Sequence, residues 1–203
     1  MIFYLEQNIP SLEIFNKFNQ KYGSIIDSKF SIIKDVELYV TDINNLKIIQ
    51  NYNKYFSETD FEDSPYASHA DYKFIIDNTY KCTFSDEEKM ALIAHELWHI
   101  ILGLNKQSTD DLQEEESCDK FSFDLGLGKY LITALEKTKI YLTKPAINNY
   151  PFAPKPISNP CAELDERIKI LQLLLKLKRC KIISITAISI LLVSIIILIL
   201  IKL

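Results

Sequence analysis

Two of the chain's three histidines fall in His95-Glu96-Leu97-Trp98-His99. On a helix, a spacing of four residues puts both imidazoles on one face about one turn apart, so two ring nitrogens can reach a single metal ion. Glu96 lies about 100° round such a helix from His95. From there its carboxylate can touch a water on the metal without displacing it, as a general base for hydrolysis must. Zinc suits imidazole and carboxylate donors, and a catalytic zinc takes three protein ligands and leaves the fourth place to water. The carboxylates available downstream are Glu114, Glu115, Glu116 and Asp119.

The elements that must carry these groups have clear signals. Ser85-Asp86-Glu87-Glu88 is a capping box that starts a helix, with Gly103 as its expected C-cap. Ala91 to Ala94 and Ile100 to Leu102 make this helix apolar nearly all round, so His95, Glu96 and His99 are polar groups on a buried element and need partners. A second helix is expected from Thr109 to Gly126, with Asp110 and Asp111 at its positive end. A proline-rich loop then precedes a last amphipathic helix, Ala162 to Lys178. Towards the N-terminus, the spacing of Leu12, Phe15 and Phe18 is helical, whereas Val36 to Val40 and Tyr72 to Asp77 read as extended. The expected fold class is therefore α+β: an active-site helix pair with a small sheet.

The run Glu115-Glu116-Ser117-Cys118-Asp119 resembles the gluzincin metallopeptidases, in which the third metal ligand is a Glu on the next helix in an E-x-x-x-D or E-x-x-x-N arrangement. Extended to Phe121 and Ser122, it is similar to the E-x-x-A-D-x-F-A box of HtpX-like and ImmA/IrrE-like peptidases, with Cys118 where those have a small Ala. Asn159-Pro160 with Arg167-Ile168 and Leu171 resembles an H-P…R-I-x-x-L element of HtpX-like and phage-exclusion peptidases, with Asn159 in place of His. The resemblance covers roughly residues 73 to 175. It implies a zincin-like domain holding Zn2+ through His95, His99 and Glu115. Glu96 would be the catalytic base, and Asp119, one turn below Glu115, would orient an imidazole. The implied activity is endopeptidase hydrolysis of a protein or peptide substrate lying extended along the strand Lys73 to Asp77. Two other readings use the same residues: a regulatory or scaffold protein whose peptidase-like fold binds a partner and cleaves rarely or not at all, and a zinc-stabilised domain in which Glu96 is idle. Outside this set, His69 reads as a surface residue in a polar loop, and Arg167 as an ion-pair tie between the last helix and the rest of the domain.

Residues Ile182 to Ile201 are free of charge and long enough to cross about 30 Å of hydrocarbon. Lys176, Lys178, Arg179 and Lys181 precede this run and only Lys202 follows, which predicts a single-pass C-terminal transmembrane anchor with the catalytic domain, residues 1–178, facing the cytoplasm. The N-terminus lacks the basic start of a signal peptide. The four cysteines form no C-x-x-C pair and read as reduced thiols. At a net charge of −4 the chain offers no basic surface for nucleic acid.

Overall fold

In the computed structural model the chain is described at residues 2–5, 12–30, 37–42, 66–69, 74–77, 83–105, 111–143 and 160–202. Helix α2 (Asp86–Leu104) starts as its sequence demands: the Ser85 hydroxyl accepts from the Glu88 amide at 3.2 Å and the Ser85 amide donates to the Glu88 carboxylate at 2.7 Å. Glu88 also holds Lys137 at 2.6 Å, which ties this helix start to a later element. The C-terminus comes later than expected. Gly103 stays helical, and Asn105 caps the end in a right-handed conformation with its amide on the Ile101 carbonyl at 3.1 Å.

Helix α1 (Leu12–Lys29) precedes α2, and α3 (Asp111–Asp124) follows it; Thr109 and Asp110, the expected start of α3, lie outside the described residues. The end of α3 uses the left-handed backbone of Gly126 at φ 85°. The Gly126 amide donates to Phe123 O at 2.9 Å and the Leu127 amide to Ser122 O at 3.0 Å, a Schellman turn. This turn reverses the chain into α4 (Gly128–Leu142). Helix α5 (Pro160–Lys202) starts on a proline, which lacks the amide that a first helical turn leaves unsatisfied anyway.

The core forms where these helices meet. Phe15, Phe18 and Ile26 of α1, together with Ile93, Leu97, Ile100 and Ile101 of α2, are its largest fully buried side chains. Leu131 and Leu135 of α4 close the cluster with Leu164, Ile168 and Leu171 of α5. α2 is the central element, packed against α1, α3 and α4.

Among the described residues there are four short strands, β1 (Ile2–Leu5), β2 (Glu37–Asp42), β3 (Tyr66–His69) and β4 (Phe74–Asp77), in the order β1-β2-β4-β3. β1 pairs with β2, and β2 with β4, in parallel, whereas β3 runs antiparallel along β4. The sheet meets the helices chiefly where β3 lies against α2.

The expected fold, an α+β zincin-like domain with a separate transmembrane helix after it, is corrected on two counts. Of the residues whose side chains are described, 92% are helical and none lies in a strand, so the described core is a five-helix one. Apolar residues at helical spacing bury against one another there, and strands of four to six residues add no described side chain to it.

The second correction concerns the membrane anchor. Among the described residues, no helix is long and apolar enough to cross a membrane. Side chains of the apolar run are described from Ile182 to Ser194, roughly 20 Å of helix, whereas a span needs about 30 Å. A longer window reached backwards takes in Lys178, Arg179 and Lys181. This overturns the expected single-pass membrane location with a cytoplasmic domain. α5 contains neither Gly nor Pro after its first residue and runs unbroken through the amphipathic and the apolar stretches.

Candidate metal centre

His95 and His99 stand one turn apart on α2 with their rings edge to face, centroids 4.9 Å apart, and their Nε2 atoms 3.2 Å apart. Glu115 comes from α3, which packs along α2. Its Oε2 lies 3.2 Å from His95 Nε2 and its Oε1 3.1 Å from His99 Nε2. The three groups thus close a triangle. Ligand atoms about 2.0–2.1 Å from a tetrahedral zinc stand roughly 3.3 Å from one another, which is the size of each of these separations, with one Glu115 oxygen facing each imidazole.

The far side of each imidazole is also held. His95 Nδ1 is 2.9 Å from Asp119 Oδ1, and His99 Nδ1 is 2.7 Å from Glu114 Oε1. A carboxylate can only accept, so each Nδ1 carries a proton and donates it. Nε2 is then the nitrogen that would give its lone pair to a metal in place of a proton, and the carboxylate behind the ring raises its basicity. Asp119 is itself gripped by Arg167 of α5: Nε donates to Oδ2 at 2.8 Å and Nη2 to Oδ1 at 2.7 Å. Arg167 Nη1 also lies 2.5 Å from Glu115 Oε2.

Electrostatics follow from this crowding. Burial alone would lower the His95 pKa, but the charge of Glu115 and hydrogen bonds to Asp119 and Glu115 outweigh it and raise the pKa to about 10. His99 is raised too, against its own burial, chiefly by its hydrogen bond to Glu115. Burial would raise the Glu115 carboxyl, yet the charge of His95, hydrogen bonds from both imidazoles and the Arg167 charge hold it far below the usual carboxylate range. Asp119 is likewise held down against its burial, first by Arg167 and then by His95. The site is a set of ionised groups waiting on one another, and a divalent cation would take the place of the imidazole protons.

Cys118 is the other group within reach, since ligand atoms of His95, His99 and Cys118 all lie within 4.8 Å of one another. Its thiol is fully buried, and burial followed by the charges of Glu115, Glu96, Glu114 and Asp119 pushes its pKa strongly up. Thiolate is the ligand form, so Glu115, ionised and facing both Nε2 atoms at 3.1–3.2 Å, is the better third donor.

Glu96 is 7% exposed, and among the described residues no side chain or amide hydrogen-bonds or pairs with its carboxylate. Neighbouring contacts keep α2 and α3 in register: Trp98 Nε1 donates to Ser117 Oγ at 2.7 Å, the Trp98 ring stacks on Phe121 at 4.6 Å, and the buried Ser122 hydroxyl donates to Ala91 O at 2.9 Å.

The structure therefore brings His95, His99, Glu115 and Asp119 into contact, with Glu96 on the next face of α2. Sequence reasoning missed two residues. Glu114, read as part of a run with a solvated face, holds His99; the signal was that an imidazole bound to metal through Nε2 needs a partner at Nδ1. Arg167, read as a tie for the last helix, makes that tie to the site's own carboxylates; the signal was a cation inside the apolar stripe Leu164, Ile168, Leu171, which has to meet buried anions.

The expected substrate strand is also corrected. β4 is paired on both sides, by β2 and β3, so it has no free edge for an added strand, whereas β3, at the end of the sheet, lies against α2. His69 belongs to β3 and not to a loop, and Asn159 lies outside the described residues. No family model, curated protein or solved structure matches the chain.

Proposed function

We propose that the chain is a zinc-dependent endopeptidase acting on protein or peptide substrates. The observation that carries this reading is the closed triangle of His95 Nε2, His99 Nε2 and Glu115, with the carboxylate of Glu96 near enough for its charge to act on His99. Zinc bound there would supply Lewis-acid polarisation of the scissile carbonyl and a lowered pKa for a water. Glu96 takes a proton from the attacking water at its carboxylate and returns it to the departing amine nitrogen. Glu114 and Asp119 keep both imidazoles facing inward by holding their Nδ1 protons. β3 is the edge strand that packs against α2, and main-chain pairing along its open side would hold an extended peptide of many sequences.

The test is Glu96→Gln, which keeps size and hydrogen bonding while removing the base. Purified chain should carry close to one zinc, and the variant should keep that zinc and its thermal stability. Its cleavage products, compared by proteomics with those of the parent, should fall by about 10²- to 10⁴-fold. A metal-free parent sinks the site. A metal-loaded variant that cleaves as fast as the parent leaves a metal-stabilised scaffold as the better reading.

A further inference from the structure

Glu115 has two carboxylate oxygens, and they are not equivalent. Oε1 faces His99 Nε2 at 3.1 Å, whereas Oε2, 3.2 Å from His95 Nε2, also accepts from Arg167 Nη1 at 2.5 Å. An oxygen held that closely by a guanidinium has one of its two lone pairs committed to it, which makes Oε1 the better donor to a cation. A carboxylate with both oxygens free can close on a cation through both and so occupy the place that a reacting water needs. The same guanidinium sends its other two nitrogens to Asp119, whose Oδ1 receives the His95 Nδ1 proton. One planar group thus sets the orientation of two carboxylates and, through Asp119, of an imidazole. It arrives from α5 because Leu164, Ile168 and Leu171 bury the same face of that helix.

We propose that Arg167 is a positioning residue that limits Glu115 to one-oxygen coordination and thereby keeps a coordination place open at the metal centre. The inference rests on the zinc reading above. Lysine could not do this, because an ammonium has no planar fork to hold two carboxylates at fixed angles.

Cobalt in place of zinc provides the test, since its visible absorption is intense when four-coordinate and weaker when a fifth ligand joins. The full chain, Arg167→Lys and Arg167→Gln are compared at cobalt saturation, with helix content checked by circular dichroism. The parent should give the intense spectrum, and both folded variants should show a several-fold loss of absorption per bound cobalt as Glu115 closes with both oxygens. Where Arg167→Gln does not fold, Arg167→Lys decides, since it retains a positive charge beside Asp119 and Glu115. Parent-like spectra in the loaded, folded variants would overturn the inference while leaving the metal site intact. Failure of a folded Arg167→Lys to bind cobalt would overturn it too, because Arg167 would then build the site and not set its coordination. A parent that takes up no cobalt removes the metal reading itself, and the inference with it.

Discussion

The two halves of α5 share one unbroken backbone and have opposite surroundings. In the first half Leu164, Ile168 and Leu171 are buried against α3 and α4, and Arg167 is buried with them at 7% exposure. In the second half, from Ile182 to Val193, the large apolar side chains are 55–68% exposed, although this stretch is the more hydrophobic of the two. Burial here follows from what stands opposite a side chain and not from how apolar it is. Arginine goes inside because Asp119 and Glu115 wait for it, while isoleucines stay outside because no described residue covers them. Polar residues in the second half are satisfied locally: Ser184, Thr186, Ser189 and Ser194 return their hydroxyl protons to carbonyls four residues earlier at 2.9–3.0 Å.

The contrast can be broken in several places, beginning where the largest effect is expected. If the first half of α5 completes a metal centre, Glu115→Gln should abolish tight zinc binding, because it removes one of three ligands. Elemental analysis should then find the metal kept by Glu116→Gln and held 10- to 100-fold more weakly, by the usual cost of an outer partner, in Glu114→Gln. Equal losses at Glu115 and Glu116 would show that the triangle does not bind the ion. Next in size is the packing contrast itself. Leu171→Ala should destabilise the fold by about 2–5 kcal/mol, the range for a buried leucine. Ile188→Ala should stay within about 0.5 kcal/mol, as for a surface change. Equal shifts in the denaturant midpoints of the two variants would mean that the second half has a partner after all.

The smallest effect concerns the start of α2. Burial would raise the Glu88 carboxyl, but Lys137, the Ser85 amide and Thr133 together hold it below its ordinary value. A carboxyl depressed in the folded state contributes stability that is fully present above its unfolded pKa of about 4.3 and is lost as the pH falls through the folded value. The stability difference between the parent and Glu88→Gln should therefore narrow as the pH drops below about 4. A difference that stays constant from neutral pH downwards would show that the ion pair with Lys137 does not stabilise this helix start.

By itself the sequence determined the local geometry. Ser85 and Glu88 specify where α2 begins, because a capping box is completed within four residues. The spacing of His95 and His99, and of Glu115 and Asp119, follows from the helical repeat once each segment is helical. Gly126 marks the end of α3, since its left-handed backbone suits a residue without a Cβ. Tertiary structure decided what meets across helices. Which glutamate supports His99, and which cation neutralises Asp119, depend on the distance between α2, α3 and α5, and no local repeat encodes that distance. The strand order was equally hidden: β4 looks like any extended segment in sequence, and only pairing with β2 and β3 takes away its free edge. The same holds for the apolar run after Lys181, whose composition specifies a helix but not what covers it, because burial is a property of two surfaces and the chain spells out one.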